Sequence, residues 1–104
     1  MLVERSIYDD FVERYAERAK NIVIGLPSDP ATEVGALVHP SHFEKVMSYV
    51  EIGKGEGRLV AGGGRPEGFP EGNYVAPTVF ADVASDARIF QEEIFGPVVA
   101  ITPF

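Results

Sequence analysis

Apolar residues recur along the chain at two distinct periods. From Tyr8 to Val23 they stand three and four apart, at Tyr8, Phe11, Val12, Tyr15, Ala19, Ile22 and Val23. That spacing lines one face of an α-helix. Glu13, Arg14, Glu17, Arg18 and Lys20 fill the opposite face. Ser6 with Asp9 three residues on predicts an N-cap in a capping-box arrangement. Gly25 and Pro27 end a helix of about four turns. A second helix opens at Pro40 or Ser41, where Ser41 and Glu44 repeat the capping box. Phe43, Val46, Met47 and Val50 form its buried stripe, and it runs to about Gly53.

The remaining apolar runs are short and read as strands. They are residues 2–4, Arg58–Ala61, Tyr74–Phe80 and Val98–Ile101. Pro77 cannot donate to a ladder, so the third run is predicted to lie at an edge or carry a bulge. Val98–Ile101 is apolar throughout and reads as a buried strand. Asp86–Glu92 is a candidate short helix, and Pro27–Val38, with two prolines and little periodicity, is a loop. Helices alternating with apolar strands predict α/β layering.

Composition narrows the function classes. The chain has 104 residues and a formal net charge of −7. Residues 1–52 hold nine acids and five bases, and residues 53–104 hold seven and four. Neither half is basic, so no nucleic-acid partner is expected. No apolar run approaches the roughly 20 residues that span a bilayer, so no membrane partner is expected either. The start, Met1-Leu2-Val3-Glu4-Arg5, lacks a basic stretch followed by an apolar core, and a cytoplasmic location is the expectation. There is no cysteine, which excludes a thiol nucleophile and a zinc-thiolate site within these residues.

Few residues carry chemistry on their own terms. Eight of the 11 glycines fall between Gly53 and Gly72. A phosphate-cradling fingerprint needs glycines at i, i+2 and i+5, and Arg58, Val60 and Glu67 occupy the last place in the three candidate frames. These are read as turn glycines. Glu92 and Glu93 are adjacent, so on a helix or a strand they project in different directions and do not share one substrate atom. His39 and His42 have helical metal-pair spacing without a third ligand nearby, so capping or surface roles are expected. Lys45 lies one turn beyond His42 and shares its face. Ser6 and Ser41 serve as caps, and Ser28, Ser48 and Ser85 lack a nucleophile-elbow context. No nucleophile–base pair emerges, so no catalytic residue and no metal site is assigned.

The run Glu92-Glu93-Ile94-Phe95-Gly96-Pro97-Val98 resembles the EEIFGPV signature of the NAD(P)-dependent aldehyde dehydrogenases. Ser6–Val12, Gly53–Gly57, Gly62–Gly64 and Tyr74–Phe80 match further blocks in the family's order. The resemblance covers essentially the whole chain. It implies an α/β fold, a partial three-layer aldehyde-dehydrogenase-like catalytic domain over residues 1–104 with helices packed on a mostly parallel sheet, beginning just after the catalytic-cysteine loop, without a complete cofactor-binding domain. The family's cysteine, general-base glutamate and oxyanion-hole asparagine all lie upstream of the matched stretch.

The resemblance further implies that the parent enzyme oxidises an aldehyde to a carboxylic acid with NAD or NADP. A cysteine thiolate attacks the aldehyde, hydride passes to the nicotinamide, and a glutamate-activated water releases the acid. It assigns Glu93 to the nicotinamide ribose hydroxyls, Phe95 to packing near the nicotinamide ring, and Lys45 to the adenosine end. His42 stands on the cofactor side where many relatives have glutamine. Gly96 and Pro97 shape the turn into the last strand. The isolated chain is expected to be inactive and to self-associate through strand edges cut from the parent, as a homo-oligomer or with a partner chain. The alternative is a short non-catalytic binding or assembly module derived from that fold.

Overall fold

The computed structural model describes all 104 residues. Its centre is strand β3 (Thr78–Ala81), every residue of which is buried. β3 lies between β2 (Arg58–Ala61), which pairs antiparallel, and β4 (Val98–Ala100), which pairs parallel. Side chains alternate across a strand, so β3 serves both faces of the sheet. Val79 and Ala81 pack with Val12, Ala16 and Ala19 of α1 (Tyr8–Lys20). Phe80 packs on the other side with Val46 and Val50 of α2 (Pro40–Glu56) and Ile89 of α3 (Arg88–Gln91). The result is helix, sheet, helix, the three layers expected of an α/β domain. A second small sheet pairs β1 (Leu2–Val3) with β5 (Thr102–Pro103) in parallel. Two of the three strand pairings are thus parallel.

Local chemistry moves several predicted boundaries. Ser6 is not the cap of α1. The Glu4 carboxylate accepts from the Ser6 N–H at 3.2 Å and from its hydroxyl, which winds Arg5–Ile7 into a 3₁₀ turn ahead of the helix. α1 ends at Lys20, before Ile22 and Val23, because Asn21 folds back and its side-chain amide donates to the Glu17 carbonyl at 2.8 Å. α2 is capped by His39, whose Nδ1 accepts from the Ser41 N–H at 3.2 Å, with Pro40 in the first turn. It runs past Gly53 to Glu56. Gly53 is there for packing, since a Cβ would sit 2.6 Å from Phe80 Cε2.

Pro77 does not make its strand an edge. The ladder starts one residue later, at Thr78, so the missing N–H falls outside it and the strand is central. The irregularity lies instead on β2, where the register shifts between Leu59 and Ala61. α3 is shorter than Asp86–Glu92 and has no cap of its own at Ala87. The Glu56 carboxylate supplies one from α2, accepting from the N–H groups of Arg88 at 3.1 Å and Ile89 at 3.0 Å. β4 is half-buried. Its apolar side chains line a shallow groove with Leu2, Ile89 and Phe90 that nothing in the chain covers. No helix is long and apolar enough to cross a membrane.

Candidate functional site

The segment Arg88–Val98 leaves α3, passes along α2 and enters β4. Ile94 is buried, while Glu93 and Phe95 on either side of it are exposed. Alternation about one buried apolar anchor turns the two flanking side chains outward together. This is the part of the chain where exposed residues of distinct chemistry are held by a rigid surround.

The two neighbouring glutamates have different surroundings. Arg88 donates to Glu92 through Nε and Nη2, each at 3.0 Å, a bidentate pairing. The Tyr49 hydroxyl donates to Glu92 Oε2 as well. The Arg88 guanidinium carbon lies 5.7 Å from the centre of the Tyr49 ring, so the three groups form one cluster. The Arg88 guanidinium, followed by the Tyr49 hydroxyl, holds the Glu92 carboxyl at about 2, from an ordinary 4.5. The Glu92 carboxylate in turn pushes the Tyr49 hydroxyl up. Glu93 shares none of these bonds, and its carboxylate faces outward with no partner within the chain.

The cluster has a defined pH window. A carboxyl whose folded value is depressed contributes stability that is complete above its unfolded value and lost below. The clamp on Glu92 is therefore fully formed above pH 4.5 and comes apart as the pH falls through about 2. A carbon-detected NMR titration of the Glu92 carboxyl is expected to show its midpoint near 2. Arg88→Met is expected to raise that midpoint. A wild-type midpoint in the ordinary carboxylate range would contradict the geometry.

Phe95 is held in an unusual backbone state. Its φ is +62°, the left-handed region that bulky side chains rarely adopt. The ring is 73% exposed. His42 Nε2 faces the Phe95 carbonyl at 2.6 Å. A carbonyl only accepts, so Nε2 carries the proton and donates. The two rings meet edge to face with centroids 6.2 Å apart. Gly96 then lies against Val46, where a Cβ would meet Cγ2 at 2.7 Å. The left-handed backbone and the His42 hydrogen bond together hold this aromatic ring at the surface.

The four positions singled out from the sequence are distributed as follows. Glu93 and Phe95 project outward on the loop, and His42 is fastened to Phe95. Lys45 is exposed on α2, its Nζ 6.0 Å from the Tyr49 ring centre. His39 and His42 do not converge: His39 Nδ1 is engaged with Ser41, whereas His42 Nε2 serves Phe95. Tyr49, Arg88 and Glu56 were not candidates from sequence. The available signal was the spacing of seven between His42, Tyr49 and Glu56, which places all three on one side of a helix.

With fold and site in view, the relationships are clear. The family model described as the aldehyde dehydrogenase family matches residues 1–104, and the chain belongs to that family. It is 50% identical over 106 residues to a betaine aldehyde dehydrogenase of Sinorhizobium fredii, covering 100% of this chain and 22% of that protein. It is 46% identical over 100 residues to a 1-pyrroline-5-carboxylate dehydrogenase of Bacillus subtilis, covering 96% of this chain and 19% of that protein. Among solved structures, a Mycobacterium tuberculosis aldehyde dehydrogenase complexed with NAD+ superposes with a TM-score of 0.93 at 45% identity, over 99% of this chain and 22% of that one. The chain thus spans about a fifth of the length of the curated relatives it matches.

Proposed function

We propose that residues 1–104 form part of the catalytic domain of an enzyme oxidising an aldehyde to a carboxylic acid, and that Glu93 and Phe95 hold the nicotinamide ribose end of NAD or NADP. The observation that carries this reading is the unequal treatment of the two glutamates. Glu92 is committed to Arg88 and Tyr49, which leaves Glu93 as the outward acceptor. A carboxylate offers two oxygens, one for each hydroxyl of a vicinal diol. Phe95, presented at the surface by its left-handed backbone, supplies an aromatic wall beside it. These residues fit a ribose bearing a flat ring, and the solved Mycobacterium tuberculosis relative is complexed with NAD+.

The bound nucleotide supplies a hydride acceptor. Glu93 contributes orientation and no bond-making, and Phe95 restricts the positions open to the ring. Lys45, exposed on α2, is read as approaching the adenosine end with its positive charge. The chain's uncovered apolar surfaces support its place within a larger domain. One is the groove beside β4; another, of about 240 Å³, lies between α1 and the sheet among Tyr15, Ile22, Val34 and Val99. An isolated chain is expected to bury them by self-association.

The 104 residues contain no cysteine to form the attacking thiolate. Incubated with NAD+ or NADP+ and a panel of aldehydes, the chain alone is expected to give no absorbance from reduced nucleotide. A reproducible, protein-dependent rise would overturn this assignment of roles.

A further inference from the structure

Five of the residues by which α2 touches the sheet or the segment Arg88–Gly96 share one stripe. His42, Val46, Tyr49, Gly53 and Glu56 are spaced four, three, four and three apart. At 100° per residue they lie within about 80° of one another. Their contacts follow the loop in reverse order. Glu56 caps the N–H groups of Arg88 and Ile89, Tyr49 holds Glu92, and Val46 and His42 meet Gly96 and the Phe95 carbonyl. Gly53 gives the helix its closest approach to Phe80 and so fixes its height above the sheet.

We infer that His42, Tyr49 and Glu56 are positioning residues that set the Glu93–Phe95 loop for the nicotinamide ribose. The inference rests on the cofactor reading above. Each of the three acts on a different feature of the loop. Tyr49, with Arg88, decides which of two adjacent carboxylates is free. His42 takes the carbonyl of Phe95, the residue of this loop whose backbone is left-handed. Glu56 fixes the start of α3 and with it the position from which Arg88 reaches Glu92. A surface segment held by polar bonds from three side chains of one helix is preorganised, and preorganisation lowers the ordering cost of binding.

The test titrates the full-length enzyme carrying these residues, nitrogen-labelled over residues 1–104, with NAD+ and follows the amides of Glu93 and Phe95. Tyr49→Phe keeps the ring and loses only the hydroxyl. His42→Ala loses the donor, and His42→Gln restores an N–H at similar reach. Tyr49→Phe and His42→Ala are each expected to weaken binding by about fivefold, the effect of one lost hydrogen bond. His42→Gln is expected to bind as the wild type does, because it keeps a donor to the Phe95 carbonyl and loses only the ring. Thermal melting identifies variants that lose the fold, and Glu56→Gln repeats the test from the other end of the helix. Wild-type affinity in Tyr49→Phe, His42→Ala and Glu56→Gln, with Glu93→Gln weakened, would overturn the inference and leave the cofactor reading standing. Unchanged binding in Glu93→Gln, or no shift at either amide in the wild-type enzyme, would overturn both together.

Discussion

Phe80→Ala is expected to destabilise the chain by about 3–5 kcal/mol, the cost of deleting a large buried ring. Phe80 is 0% exposed and sits in the middle of the central strand. Its ring fills the space left by Gly53, and its Cβ lies beside Gly57. Those two glycines let α2 approach the sheet closely, so the helix has little room to collapse further when the ring is removed. A domain of this size is stable by only about 5–15 kcal/mol, so the loss consumes much of the total. It reaches the site as well, because α2 carries His42, Tyr49 and Glu56, which bond to the segment Arg88–Phe95. Urea unfolding followed by circular dichroism measures it, and a loss under about 1 kcal/mol would contradict this packing.

Glu93→Gln is expected to weaken NAD+ binding roughly tenfold or more, with the fold intact. The carboxylate presents two charged acceptors to two hydroxyls, whereas the amide presents one neutral acceptor and loses the charge assistance. Glu93 makes no bond within the chain, so its replacement leaves the α2–loop contacts in place. The saturation-transfer signal of the nicotinamide protons across a NAD+ titration reports the change. An equal signal in wild type and variant would mean that Glu93 does not hold the ribose.

The layers of the fold were legible because they follow from apolar periodicity. Tyr8, Val12 and Ala19 stand at helical spacing and are buried together. Val46 and Val50 do the same for α2. Element ends were less legible, because single side chains decide them. Glu4, Asn21 and His39 each make a local bond that no periodicity announces. Pro77 misled for a related reason: its cost depends on whether it falls inside the ladder, a one-residue question.

The site divides in the same way. The run from Glu92 to Val98 stood out as a signature, and Glu93 and Phe95 were singled out from that resemblance. Its support did not stand out, because the stripe of His42, Tyr49 and Glu56 is polar and an amphipathic reading counts only apolar positions. Arg88 was legible in part: a helix over Asp86–Glu92 brings Glu92, four residues on, within reach of its guanidinium, whereas the Tyr49 side of the cluster shows only in the fold.

Glu93 and Phe95 are proposed to present the nicotinamide ribose surface of an aldehyde dehydrogenase. The most direct measurement is an amide-shift map of the full-length enzyme carrying these residues, labelled over residues 1–104 and titrated with NAD+. Shifts concentrated at Glu93 and Phe95, with a second group near Lys45, are the predicted result. Shifts centred on another surface, or none at these residues, would contradict it.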